Sequence, residues 1–439
     1  MRFIVSLIAL SLMFAPLAAQ AQSSTDRLTE VERKLDAALA ELERLKLGDA
    51  ASESTATYAS RHGFAPGASR VYDAAPGPSI GGYGEMLFER TDRTRQDGTL
   101  TNAVPRADLL RAVFYVGHKF TPTLLFNSEL EFEHAGIRDE AEVAVDPASG
   151  EGAAELSGEV VVEFAYLDWQ AHPAFGVRAG KLLVPMGLVN EQHEPPVFVG
   201  ARRPDSERLL VPSTWSGAGF GLYGATASGL EWRAYVVEGL DASHFDAARA
   251  VREGRQAGSQ ARFTHPALTA RLDWKGTPGL LVGVSGMSGD AWQMAKPVGT
   301  DLSARTTLLD VHARWQWRGL ELRGLYVHGS IAQAGMLSDV LGLTGAERLG
   351  DRFAGGYAEA RFDVAPRLWP GTAWALAPYA RIESLDTQIG ASSGSSTSLG
   401  GSGSVNDPAL ERTNLTLGVA VQPHPNVVLK LDRESRRDG

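Results

Sequence analysis

Three arginines, Arg202, Arg203 and Arg208, stand close together among Glu191, Glu194, Asp205 and Glu207. Guanidinium groups gathered at one place hold phosphate or carboxylate through paired, charge-assisted hydrogen bonds. At a narrow point of a water-filled path they draw anions toward it. The alternative is that the carboxylates beside them neutralise them as a solvated network. Catalytic readings have less to stand on. Gly180-Lys181 lacks the upstream glycines of a phosphate-cradling loop, and His193-Glu194 runs into Pro195-Pro196 instead of a helix bearing a second zinc-binding histidine. Ser285 and Ser288 fall outside a Gly-x-Ser-x-Gly turn. Ser330 and His328 would share one face of a strand, so a barrel-embedded hydrolase stays open as an alternative. The chain contains no cysteine, which excludes a disulfide scaffold, a zinc-thiolate site and a cysteine nucleophile together. The expectation is a protein that is not an enzyme and carries no cofactor.

The elements that must position those arginines are strands. Formal net charge is −10, which speaks against a nucleic-acid partner. Beyond the first 20 residues no run of 18 apolar residues occurs, so a bundle of membrane-crossing helices is excluded. A transmembrane barrel is not, because its strands alternate and average out along the chain. From Ile80 onward the period is two. Leu124, Phe126, Leu130 and Phe132 fall on one face of their segment, and Asn127, Glu129, Glu131 and Glu133 on the other. Leu309, Val311, Ala313, Trp315 and Trp317 likewise oppose Asp310, His312, Arg314 and Gln316.

Fifteen such segments are predicted, near 80–90, 108–120, 123–134, 159–171, 174–185, 217–226, 229–239, 266–275, 279–287, 306–317, 319–329, 353–364, 373–385, 412–421 and 426–434. Each has about 9 to 13 residues, the length a tilted strand needs to cross a bilayer. Short turns bearing Pro or Gly alternate with longer loops, the mark of an all-β, up-and-down antiparallel transmembrane β-barrel over 80–439. Bacterial single-chain barrels have an even strand number, so about 16 strands are expected, with a closing strand beyond Gly439 or one segment miscounted.

Ahead of the barrel, residues 1–21 have the charged start, apolar stretch and Ala19-Gln20-Ala21 site of a secretory signal peptide. In 22–48, Leu28, Leu35 and Leu42, with Val31, Ala38 and Leu45, repeat every seven residues as in a coiled-coil helix. Residues 49–79, rich in Ala, Ser, Gly and Pro, read as a linker.

Inward positions of the strands tally eleven cations against eleven anions. Arg111, Arg233 and Arg271 are among the former, and Glu129, Glu131 and Glu133 among the latter. So many charges argue against a dry packed core and for a hydrated lumen. The loop 186–216 is the third long one, and such a loop often folds inward. Arg202, Arg203 and Arg208 are therefore expected at the constriction.

The run from Phe164 to Asn190 resembles a stretch typical of the phosphate-selective porin O/P family. Tyr166-Leu167-Asp168-Trp169, the Pro-bearing turn, Arg178-x-Gly180-Lys181 and Pro185-Met186-Gly187-Leu188 carry the resemblance. It implies a sixteen-stranded, homotrimeric porin of the bacterial outer membrane that passes anions. Arg178 and Lys181 would then line the pore, although residues three apart share a face only across a bulge. The family's dense basic stripe is absent here. The expected solutes are small anions, phosphate or carboxylates, with sugars open. The expected surroundings are outer-membrane lipid. A barrel plugged by its own loops, with a structural or adhesive role, is the alternative.

Overall fold

The computed structural model describes residues 60–136, 158–172, 174–391 and 406–439. The expected signal peptide, the coiled-coil helix and residues 49–59 lie outside the described residues. Fifteen strands follow one another in a single sheet, each antiparallel to its neighbours. They are β1 (Gly77–Glu89), β2 (Arg106–Thr121), β3 (Leu124–Glu133), β4 (Val160–His172), β5 (Phe175–Leu183), β6 (Ser216–Ala225), β7 (Leu230–Val237) and β8 (Ala267–Trp274). The second half comprises β9 (Leu280–Asp290), β10 (Arg305–Trp317), β11 (Leu320–Ile331), β12 (Arg352–Phe362), β13 (Ala375–Ile389), β14 (Glu411–His424) and β15 (Val427–Asp438). All fifteen predicted segments correspond to strands. The loop after β1 reaches β15 at the long-loop rim, where the side-chain amide of Gln96 bonds both the C=O and the N–H of Asp438, each at 3.0 Å.

Alternation sorts each strand into two faces. Ile80, Met86, Phe114, Leu268, Leu309, Val311 and Leu431 point outward and are exposed, a band that can rest only in lipid. Among the described residues no helix is long and apolar enough to cross a membrane. The exposed tryptophans are Trp169, Trp274, Trp315, Trp317, Trp369 and Trp374, all beside short turns. Tryptophan seats at a membrane interface because its ring is apolar and its N–H polar. One register shift re-aims inward side chains. A bulge at Glu129/Leu130 against β4 turns Glu163 and Phe164 both into the interior.

Residues 60–76 lie inside the barrel. Phe64, Ala65, Ala68, Ser69 and Val71 are buried, and Arg70–Asp73 forms one helical turn before β1. This part of the expected linker is therefore a packed element. Its small residues let it pass close to the wall, a feature that composition alone does not separate from flexibility.

Candidate functional site: an arginine-lined chamber

The loop from 184 to 215 folds into the lumen and is fastened to the far wall. Glu383 on β13 accepts the N–H groups of Asp205 (3.0 Å) and Ser206 (2.6 Å) and the Ser206 hydroxyl (2.6 Å). Asp432 on β15 accepts from Ala201 N–H at 2.8 Å, and Asp310 on β10 from Gly187 N–H at 3.2 Å. Lys430 donates to the carbonyls of Phe198 and Gly200 at 2.6 and 2.9 Å. Within the loop, Glu207 accepts from Leu188 and Val189 N–H, and Tyr357 on β12 donates to it. Burial pushes the Glu207 carboxyl up to about 7. Buried backbone groups of an inserted loop need partners. Here the inward charges of the wall supply many of them.

Beside this loop lies a cavity of about 570 Å³. Arg106 and Arg111 of β2 line it together with Arg202, Arg203, Arg208 and Arg252 from the loops. Glu85, Glu89, Asp108 and Glu133 are the carboxylates on its wall, so cations exceed anions by six to four. All three arginines expected at the constriction are present, and Arg111 and Glu133 join them.

Their pairing differs. Arg202 forks onto Glu89 at 2.8 and 2.7 Å. Arg208 holds Asp205 at 3.0 and 2.9 Å. Arg111 lies 3.0 Å from both Glu85 and Glu131. Among the described residues Arg203 bonds neutral groups, the Ser213 hydroxyl at 3.4 Å and the His193 carbonyl at 3.3 Å. Burial, and then the neighbouring Arg111 cation, lower its pKa. Arg252 caps the carbonyls of Arg208 and Ser213, with Glu253 no nearer than 3.8 Å. Burial, with Arg255 and Arg208 close by, pushes it down to about 9. Arg203 and Arg252 are thus cations held where positive charge is disfavoured, and an anion entering the chamber would relieve both.

Arg178, Arg233 and Arg271 occupy a different setting. Arg178 is buried, with Nε 2.7 Å from Asp168 and hydrogen bonds to the hydroxyls of Tyr235 (3.0 Å) and Tyr72 (3.2 Å). The rings of Tyr223 and Phe64 flank its guanidinium, with centroids at 4.1 and 4.7 Å. Arg233 reaches Asp273 at 3.2 Å and Glu191 at 3.4 Å. Arg271 bonds the same Asp273 at 2.8 Å and the Gly187 carbonyl. Glu129 lies 3.1 Å from His193, and Glu131 faces Arg111. The argument that inward charges need water fails in this region, because the charges neutralise one another between wall, loop and N-terminal segment. Lys181 lies on the opposite face of β5 from Arg178, in unbroken register with β4, and its Nζ bends to the Val162 carbonyl.

Arg106 and Arg252 of the chamber were not expected from the sequence. Arg249, Arg252 and Arg255 recur every third residue in the loop after β7, a signal of clustered charge without a place in the fold.

Among solved structures, the outer membrane channel DcaP of Acinetobacter baumannii superposes with a TM-score of 0.50 at 10% identity, covering 82% of this chain and 91% of that one. OmpF of Salmonella typhi, in complex with daunomycin, gives 0.46 at 11% identity, with 81% and 89% covered. The anion-selective porin from Comamonas acidovorans gives 0.45 at 11% identity, with 78% and 84% covered. The likeness to DcaP is one of fold: the chain is a porin-type up-and-down barrel. No model of a known protein family matches the chain. An uncharacterized protein of Aquifex aeolicus (strain VF5) is 33% identical over 386 residues, covering 86% of this chain and 80% of that protein. The chain belongs to one family with it.

Proposed function

We propose that the protein is an outer-membrane channel for small anionic solutes, phosphate or carboxylates. The observation that carries this reading is the chamber, where six arginines meet four carboxylates, Arg203 bonds a hydroxyl and a carbonyl, and Arg252 lies 3.8 Å from Glu253. A wall with surplus positive charge raises the local concentration of anions. Guanidinium forks suit the planar carboxylate and the phosphate group. The outward apolar band and the tryptophan rim support an outer-membrane location. The resemblance of 164–190 to the phosphate-selective porin O/P family supports the anionic cargo and a homotrimer. The test is a planar-bilayer recording of the purified protein under a KCl gradient, with phosphate and succinate then added. Discrete steps, a reversal potential of anionic sign and block by an added anion are expected. Cation preference would overturn the reading.

One observation favours a second reading, a barrel closed by its own chain: Phe64, Ala65, Ala68, Ser69 and Val71 of the N-terminal segment are buried in the lumen. Complete absence of current from folded protein would support it.

A further inference from the structure

The segment 60–76 joins the wall in an unusual way. No ladder holds it. Its β-bridge is to itself, between Arg61 and Phe64. Side chains of the wall hold it, together with one backbone bond from Ala65 N–H to the Glu191 carbonyl at 3.2 Å. Asn127 and Lys119 donate to the carbonyls of Ala68 (2.8 Å) and Tyr72 (2.6 Å). Glu194, on the inserted loop, accepts from the N–H groups of Gly67 (3.1 Å) and Ala68 (2.9 Å).

The fit depends on missing side chains. A Cβ on Gly117 of β2 would lie 3.0 Å from the Val71 Cβ, and one on Gly67 would lie 2.8 Å from Glu194 Oε1. Gly63 takes a left-handed φ of +96° against the Arg233 guanidinium. Only two large apolar side chains of the segment, Phe64 and Val71, are fully buried. Gly77, where the segment enters β1, has φ +134° and open space about its Cα. Such a residue absorbs a change of backbone direction easily.

We propose that residues 60–76 are a displaceable plug, which narrows the path beneath the inserted loop and leaves it as a unit, turning about Gly77. The hydrogen bonds that wall side chains make to the plug are ones that water in a lumen can take over when the segment leaves, whereas Phe64, whose ring lies on those of Tyr166 and Phe164 at 5.5 and 5.6 Å, is the apolar anchor that must be given up. A strand in the sheet would have to break a ladder to do the same. The proposal rests on the channel reading for its effect on conductance, but not for the movement itself.

The chain's lack of cysteine makes the test clean. In full-length Val71→Cys/Gly117→Cys protein, the Cβ separation approaches disulfide range, so oxidation should lock the plug. The locked protein should conduct at a low level, and reduction should raise the mean conductance about twofold or more as openings appear. A deletion of 60–75 should hold the higher level throughout. Gly117→Val keeps the chain complete and pushes Val71 away, so it should behave like the deletion. Equal conductance in locked, reduced and deleted protein would place the segment outside the path and overturn the proposal. A high level in the deletion, with reduced equal to locked, would make the segment fixed filling and also overturn it. Silence from every variant would refute the channel instead. The movement is then decided by the single Val71→Cys variant: reaction with a membrane-impermeant maleimide in the folded barrel supports it, and reaction only after denaturation refutes it.

Discussion

Arg178 and Arg203 lie in the same lumen and have opposite surroundings. Arg178 is enclosed by Asp168, three tyrosines and Phe64, with its charge matched and its fork filled. Arg203 faces a cavity and bonds a hydroxyl and a carbonyl. A buried cation matched by a carboxylate holds structure together, and removing one partner strands the other. A cation facing a cavity without such a match is available to a solute. Residue type alone does not separate these roles. Partnership does.

The contrast can be broken most forcefully at Arg178. Arg178→Ala leaves Asp168 buried and uncompensated, at a cost of about 3 to 5 kcal/mol. We expect a lower unfolding temperature in detergent and loss of the folded, heat-modifiable band on gels. Arg178→Lys should fall between, since it keeps the charge but loses the fork. Unaltered stability in Arg178→Ala would show that the enclosed cluster is not an anchor.

At the chamber, Arg203→Glu should shift the reversal potential strongly toward cations with little effect on unfolding. Arg202→Glu should shift it less, because Arg202 is already forked onto Glu89. An equal or reversed order would show that pairing does not govern access. The smallest expected effect lies at His62, on the plug. Burial, and then the Arg178 cation, lower its pKa to about 4. Asp168 and Glu231 oppose that shift, and Arg233 adds to it. Protonation is thus harder in the packed state, so the packed state is fully favoured above pH 6.5 and loses ground as pH falls toward 4. Conductance should rise modestly over that interval, and His62→Gln should abolish the rise. A rise that persists in His62→Gln would assign the response to another group.

Much of this was legible in advance because a strand writes its two faces into alternate residues. Leu309 to Trp317 against Asp310 to Gln316 needs no partner to be recognised. The inward loop was legible from its place in the order of loops and its arginines. What remained hidden was pairing across the lumen. Arg178 and Asp168 are opposed on adjacent strands, yet nothing local tells that Tyr72 and Phe64 close over them. The plug was missed for a related reason. Phe64, Val71 and Tyr72 stand at the helical spacing i, i+7 and i+8, yet only Arg70–Asp73 is helical, because the segment shapes itself to a surface made by other strands. Glycines such as Gly63 and Gly67 read as flexibility when they serve close approach.

The tryptophans carry a mechanical consequence. Every exposed one sits at the short-turn rim, whereas the opposite rim exposes Phe88 and Phe132, whose rings lack a polar handle. The barrel is moored in one leaflet and rides free in the other. A thicker or thinner bilayer should therefore be absorbed at the long-loop end, leaving the depth of the short-turn mouth constant.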